Sequence, residues 1–125
     1  MKHNQESMIF DLTEIAYTDA KKRELKQQKL KSYLEFGSYL SDLAKRVPST
    51  KLRGKIRKKE CPESQLLDAS VMTNSKWLYE ALNDPLHEAS NILAIFGVES
   101  IFDLGIENPT VIRRMYREAT EQVAS

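Results

Sequence analysis

The run SMIFDLTEIAYTDAKKRELKQQKLKSYLEFGSYLSDLAKRV, residues 7–47, decides how this chain folds. Met8, Leu12, Ile15 and Ala16 recur at helical intervals, and Phe36, Tyr39, Leu40, Leu43 and Val47 repeat the pattern. Apolar residues three, four and seven apart mark one face of an α-helix. Between the two groups, residues 21–31 hold six basic residues against one Glu, with only Leu25 and Leu30 apolar. Thr18 or Asp19 offers an N-cap for a second helix there, and one helix running through is the alternative. A continuous helix over this run spans roughly 60 Å. That exceeds a small domain, so part of it is expected to protrude or to pair with a second copy in a homodimer. Pro48 ends the run, because proline lacks the helix N–H and disfavours the α conformation at Val47.

Beyond a connector at residues 48–61, the chain reads as short helices separated by turn signals. Pro62 suits the first position of a helix carrying Leu66, Leu67, Ala69 and Val71. Thr73-Asn74-Ser75 reads as an interruption and a fresh cap. Trp77, Leu78, Ala81 and Leu82 form the next face, with Trp77 as a core anchor. Asn83-Asp84-Pro85 is a turn that caps a helix carrying Leu86, Ala89, Ile92, Leu93 and Phe96, closed by Gly97. Residues 100–104 form a short turn ended by Gly105. Asn108-Pro109 starts the last helix, whose face is Ile112, Met115, Tyr116, Ala119 and Val123. Four Gly and four Pro are too few for the many tight turns of an all-β fold. At 125 residues and 41% apolar the chain is long enough for one domain with its own core. The expectation is all-α: a single domain over residues 1–125, built as a compact bundle of about five to seven helices with a long N-terminal helical region.

The net charge of +1 conceals two opposed halves. Residues 1–59 carry 15 of the 19 Lys/Arg and 7 of the 18 Asp/Glu, a formal +8. Residues 60–125 carry the other 4 and 11, a formal −7. The peak is KRVPSTKLRGKIRKK, residues 45–59, with eight basic residues and no acidic one. Such asymmetry points to nucleic acid, an anionic surface or a self-complementary assembly. Leu52 and Ile56 allow a helical turn or two here, but Gly54 weakens it, and the segment reads as a mobile basic connector. Phosphate contact is assigned to Lys51, Arg53, Lys55, Arg57, Lys58 and Lys59, with Lys45 and Arg46 in support, since each neutralised phosphate releases a counterion. The stretch has no interleaved aromatics for stacking on unpaired bases, and DNA is expected ahead of RNA.

Conventional catalytic signals are missing. No P-loop, dinucleotide-binding glycine motif, nucleophile elbow or HExxH pair occurs. His3 and His87 are far apart, and with the single Cys61 they supply no zinc-ligand spacing. His87 is expected on an exposed position. No cofactor, no metal and no catalysis are expected. One cysteine excludes an intrachain disulfide and suits a reducing, cytoplasmic compartment. No apolar run approaches the ~18 residues of a membrane span, and the N-terminus has no signal-peptide core, so no membrane partner is expected.

Residues 92–104 (ILAIFGVESIFDL), with Asn108-Pro109 and Ile112-Arg113-Arg114, resemble the element around helix-hairpin-helix motifs of translesion polymerases and repair proteins. In those, a helix ends in Gly-Ile/Val, a short helix ends in Asp-Leu, and another helix follows. The likeness spans residues 92–114 of the 125. The family's glycine-rich hairpin, which holds phosphate on backbone N–H groups, has no counterpart here. The resemblance therefore implies a fold element. A helix-turn-helix is the competing reading of the same residues. In that reading Arg113 and Arg117, four apart, face away from the apolar stripe toward DNA, although Glu107, Glu118 and Glu121 weaken the local field. The function expected is a non-catalytic, nucleic-acid-associated regulator or accessory subunit. The alternative is a protein-interaction module, an inhibitor or adaptor, steered by charge to an acidic partner or to itself.

Overall fold

In a computed structural model that describes residues 5–124, one helix, α1 (Gln5–Arg46), runs unbroken through the N-terminal third. Side-chain surroundings are described for residues 12–121, so His3 and the side chains of Met8 and Val123 lie outside the described residues. Thr18 caps nothing: its hydroxyl donates to the Glu14 carbonyl at 2.9 Å, a bond made inside a helix. With 42 residues, α1 is roughly 63 Å long. Every described side chain from 12 to 29 is exposed, and Leu30, at 1% exposure, is the first to be buried. The helix therefore divides into a free arm and a packed half.

After Pro48 the chain turns back into α2 (Thr50–Glu60) and a 3-10 turn (Pro62–Leu66). Then follow α3 (Ala69–Asn83), α4 (Ile92–Phe96), a second 3-10 turn (Ile101–Leu104) and α5 (Pro109–Ala124). The described residues contain no strand, and the fold is an all-α bundle. The middle layer is α3, packed against α1 on one side and α5 on the other. Its buried residues Val71, Asn74, Ser75, Leu78 and Ala81 follow helical spacing, with Trp77 beside them. Leu30, Trp77, Leu78, Ala89, Ile92 and Ile112 join in one core, so the packed half of α1 shares it with α3, α4 and α5. Trp77 is the expected anchor, at 7% exposure.

Three expected boundaries shift, each for a local reason. The helix expected from Pro62 through Val71 is only a 3-10 turn that ends at Leu66, because Leu67 is extended at ψ 145°, and Ala69 and Val71 belong to α3 instead. Thr73-Asn74-Ser75 does not interrupt α3. Asn74 Nδ2 donates to Thr110 Oγ1 at 3.1 Å, and the Ser75 hydroxyl donates to the Val71 carbonyl at 2.7 Å. These side chains find partners inside the bundle, so they stop competing with the helix ladder. The helix expected from Leu86 starts only at Ile92. Asp84 Oδ1 accepts the Leu86 N–H at 3.0 Å and His87 Nδ1 accepts that of Ala89 at 3.0 Å, fixing turns instead. Leu86 is consequently 93% exposed and takes no part in the core. The start of α5 is as read, with Asn108 Oδ1 accepting the Thr110 N–H at 2.9 Å ahead of a buried Pro109.

The α1–α3 contact is set by Gly37. A Cβ there would stand 2.2 Å from the Ser75 carbonyl oxygen, which is backbone and cannot rotate away. Gly37→Ala is therefore expected to lower unfolding free energy by about 1–3 kcal/mol, measured by urea titration, with helix content retained.

Candidate nucleic-acid interface

The basic run is a helix in the structure, where the sequence suggested a connector. Ser49 caps α2, its hydroxyl accepting the Leu52 N–H at 3.2 Å. Basic residues in the last turn suit the negative end of the helix dipole. Helical spacing then sorts the cations onto two faces. Lys51, Lys55, Lys58 and Lys59 stand at i, i+4, i+7 and i+8 on one face, and all four are exposed. Arg53 and Arg57 lie on another and are half-buried.

Arg53 closes the corner between α1 and α2. Its Nη1 donates to the carbonyls of Val47 at 2.7 Å and Pro48 at 2.9 Å, and Nη2 donates to Thr50 Oγ1 at 3.1 Å. A helix C-terminus leaves carbonyls without intrahelical partners, and the guanidinium supplies donors and positive charge there. Arg57 Nη1 donates to Ser64 Oγ, tying α2 to the following 3-10 turn. At the far end of α2, the Tyr39 hydroxyl donates to Glu60 Oε1 at 2.8 Å.

The two arginines border a groove of about 370 Å³ between α1, α2 and α3. Leu40, Leu43, Ala44 and Met72 form its apolar part. Lys76 on α3 brings a third cation, held 3.8 Å from Glu80 Oε1, while Ser41 donates to the other oxygen of that carboxylate at 2.9 Å. Sequence reasoning missed Lys76, because only the packing of α3 on α1 carries it to α2. Among the described residues neither Arg53 nor Arg57 forms an ion pair.

Gly54 also lines this groove. A Cβ added there would meet nothing within 4 Å, and its backbone is not left-handed. Glycine inside a helix costs about 1 kcal/mol relative to alanine. The other three glycines have structural reasons: Gly37 the contact with Ser75, Gly97 and Gly105 their φ of 67° and 68°.

The remaining candidates are placed differently. Lys45 is exposed in the last turn of α1, and Arg46 pairs with Asp42 at 2.8 Å. Arg113 does not face solvent opposite the apolar stripe. It is half-buried, lies 4.9 Å over the Trp77 ring, and donates to Asn74 Oδ1 at 2.9 Å. Arg117 is exposed and borders a separate recess of about 260 Å³ that also involves Arg113, Glu88 and Tyr116. His87, expected to be exposed, is half-buried edge-on to Trp77 at 5.8 Å. Cys61 is a free, half-buried thiol at the end of α2. Neither borders either recess, and the described residues contain no group of three or more His, Cys, Asp or Glu able to hold a metal. No helix among the described residues is long and apolar enough to cross a membrane. No family model, no curated protein and no solved structure matches this chain.

Tyr39 reports on the α1–α2 joint. Burial first, then the hydrogen bond to Glu60 and that residue's negative charge, push its hydroxyl up to about 12 from 10.0. A raised phenol pKa means the fold favours the neutral form. Its contribution to stability is complete below pH 10 and is lost as pH rises toward 12. Tyr39→Phe is expected to flatten the fall of melting temperature over that interval. An unchanged profile in the variant would mean that the joint does not titrate.

Proposed function

We propose that this chain is a non-catalytic nucleic-acid-associated protein, a small regulator or accessory subunit, that holds backbone phosphates on α2. The supporting observation is the ridge of Lys51, Lys55, Lys58 and Lys59, four exposed cations on one helical face. Residues 45–59 contain no carboxylate to neutralise them. Lysine acts as a compact point charge, and phosphate contacts position a protein without reading sequence. Binding on this ridge is therefore of general affinity, and the lack of aromatics within residues 45–59 favours duplex DNA over unpaired RNA. The single cysteine suits a cytoplasmic setting. In the test, labelled duplex DNA, single-stranded DNA and RNA are titrated at several salt concentrations with the wild type and a variant carrying glutamine at all four ridge lysines. All four side chains are exposed, so the variant is expected to fold. It is expected to lose affinity, with the slope of log K against log salt shallower by roughly 3–4. Failure of the folded wild type to bind any polymer at low salt would sink the reading.

A protein partner is the second reading, and the arm of α1 favours it. Leu12, Ile15, Tyr17 and Leu25 are each 56–64% exposed. Leu12 and Ile15 share a face, one turn apart. A second copy meeting these residues would make a homodimer; a protein target would make the chain an inhibitor or adaptor. Sedimentation equilibrium separates these outcomes. A mass twice 14.4 kDa, reduced to the monomer by Leu12→Glu with Ile15→Glu, is expected for the homodimer. A monomer at all concentrations rejects it.

A further inference from the structure

We propose that the groove beneath Gly54 is a phosphate subsite, in which one backbone phosphodiester of the bound strand sits between Arg53, Arg57 and Lys76. This deepens the nucleic-acid reading and rests on it. Three observations meet in one place. First, two guanidiniums border the groove half-buried, and they donate to carbonyl and hydroxyl oxygens, which accept hydrogen bonds but neutralise no charge. Of the five N–H donors on each guanidinium, Arg53 commits three to Val47, Pro48 and Thr50 and Arg57 one to Ser64, which leaves two and four to meet phosphate oxygens. Second, Lys76 approaches from α3, and Thr50 and Thr73 add hydroxyls to the same walls. Lys76 is held 3.8 Å from Glu80 Oε1, so an anion entering here competes with that carboxylate for Lys76 and meets on α2 two arginines with no ion pair among the described residues. Third, Gly54 lines the same groove, a mid-helix glycine that neither packing nor φ requires. A missing side chain that the fold does not need is explained when something else approaches the backbone there. The apolar part, half-buried Leu40 with Met72, suits the carbon face of a sugar.

The ridge and the groove then have separate tasks. Lys51, Lys55, Lys58 and Lys59 attract the strand from solvent. The arginine groove seats one phosphate at a fixed depth, which sets the strand's register on α2.

Gly54→Leu tests the assignment, because a Cβ there meets nothing within 4 Å and leucine favours the helix. Circular dichroism and melting are expected to show a fold at least as stable as the wild type. Affinity for duplex DNA is expected to fall at least about tenfold, with the salt slope shallower by roughly one contact. A two-dimensional amide NMR titration of the wild type with the same duplex gives an independent readout, with expected shifts at Gly54, Thr73 and Lys76. Gly54→Leu binding like the wild type, while the ridge variant loses affinity, would overturn the subsite and leave the nucleic-acid reading intact. Duplex-induced shifts confined to the ridge would do the same, and would decide the matter if Gly54→Leu failed to fold. Shifts at Gly54 with inorganic phosphate but not with the duplex would reassign the groove to a free anion and overturn the proposal. A wild type that binds no polymer overturns both.

Discussion

The backbone approach of α1 to α3 at Gly37 and Ser75 is the constraint on which the other placements depend. With no side chain on Gly37, the helices come close enough for Ser75 to be fully buried. That closeness fixes which residues of α3 face α1 and which face α5. Asn74 then reaches Thr110 and Arg113, and Trp77 meets Tyr116 at 5.6 Å and His87 at 5.8 Å. The same closeness brings Lys76 toward α2, so the groove follows from a packing contact a few residues away. A larger residue at position 37 would disturb core and groove together.

Arg53 links fold and chemistry in one side chain. Pro48 forces the corner after α1, and the carbonyls of Val47 and Pro48 have no helical N–H to accept there. Arg53 supplies those donors from the first turn of the next helix. Its charge thus stabilises a turn while it stays next to a groove that has no matching carboxylate from Arg53 or Arg57's own surroundings among the described ion pairs. Lysine in its place would keep the charge and lose the planar fork that reaches two carbonyls at once.

The architecture was largely legible from the sequence, because it rests on local rules. Pro48, Asn108-Pro109, Gly97 and Gly105 mark real boundaries, and the spacing of Ile112 and Tyr116 identifies the buried side of α5. The errors arose where a local signal met a tertiary one. Asn74 and Ser75 have the composition of a cap, but partners on α5 and in the α3 backbone absorbed their polar groups. Arg113 looked solvent-facing on α5 alone, and only the position of Trp77 turned it into a packed cation. The basic run is legible in the sequence, since charge density needs no fold. Its division into a lysine ridge and an arginine groove needed α2 to be helical, which Gly54 argued against. Lys76 carried no signal, lying far from the run in sequence.

The arm of α1 has a further physical consequence. An isolated helix in water is limited mainly by its first turn, which is costly to nucleate. Here the packed half from Leu30 onward supplies that nucleus, so residues 12–29 need only propagate it outward. Lys, Gln, Glu and Ala, frequent in the arm, are good propagators. The helix–coil boundary can therefore travel along the arm one residue at a time without opening the bundle. Each residue that crosses it exchanges about 1.5 Å of helical rise for up to about 3.3 Å of extended chain. Conditions that melt the arm would thus lengthen its reach while the bundle stays folded.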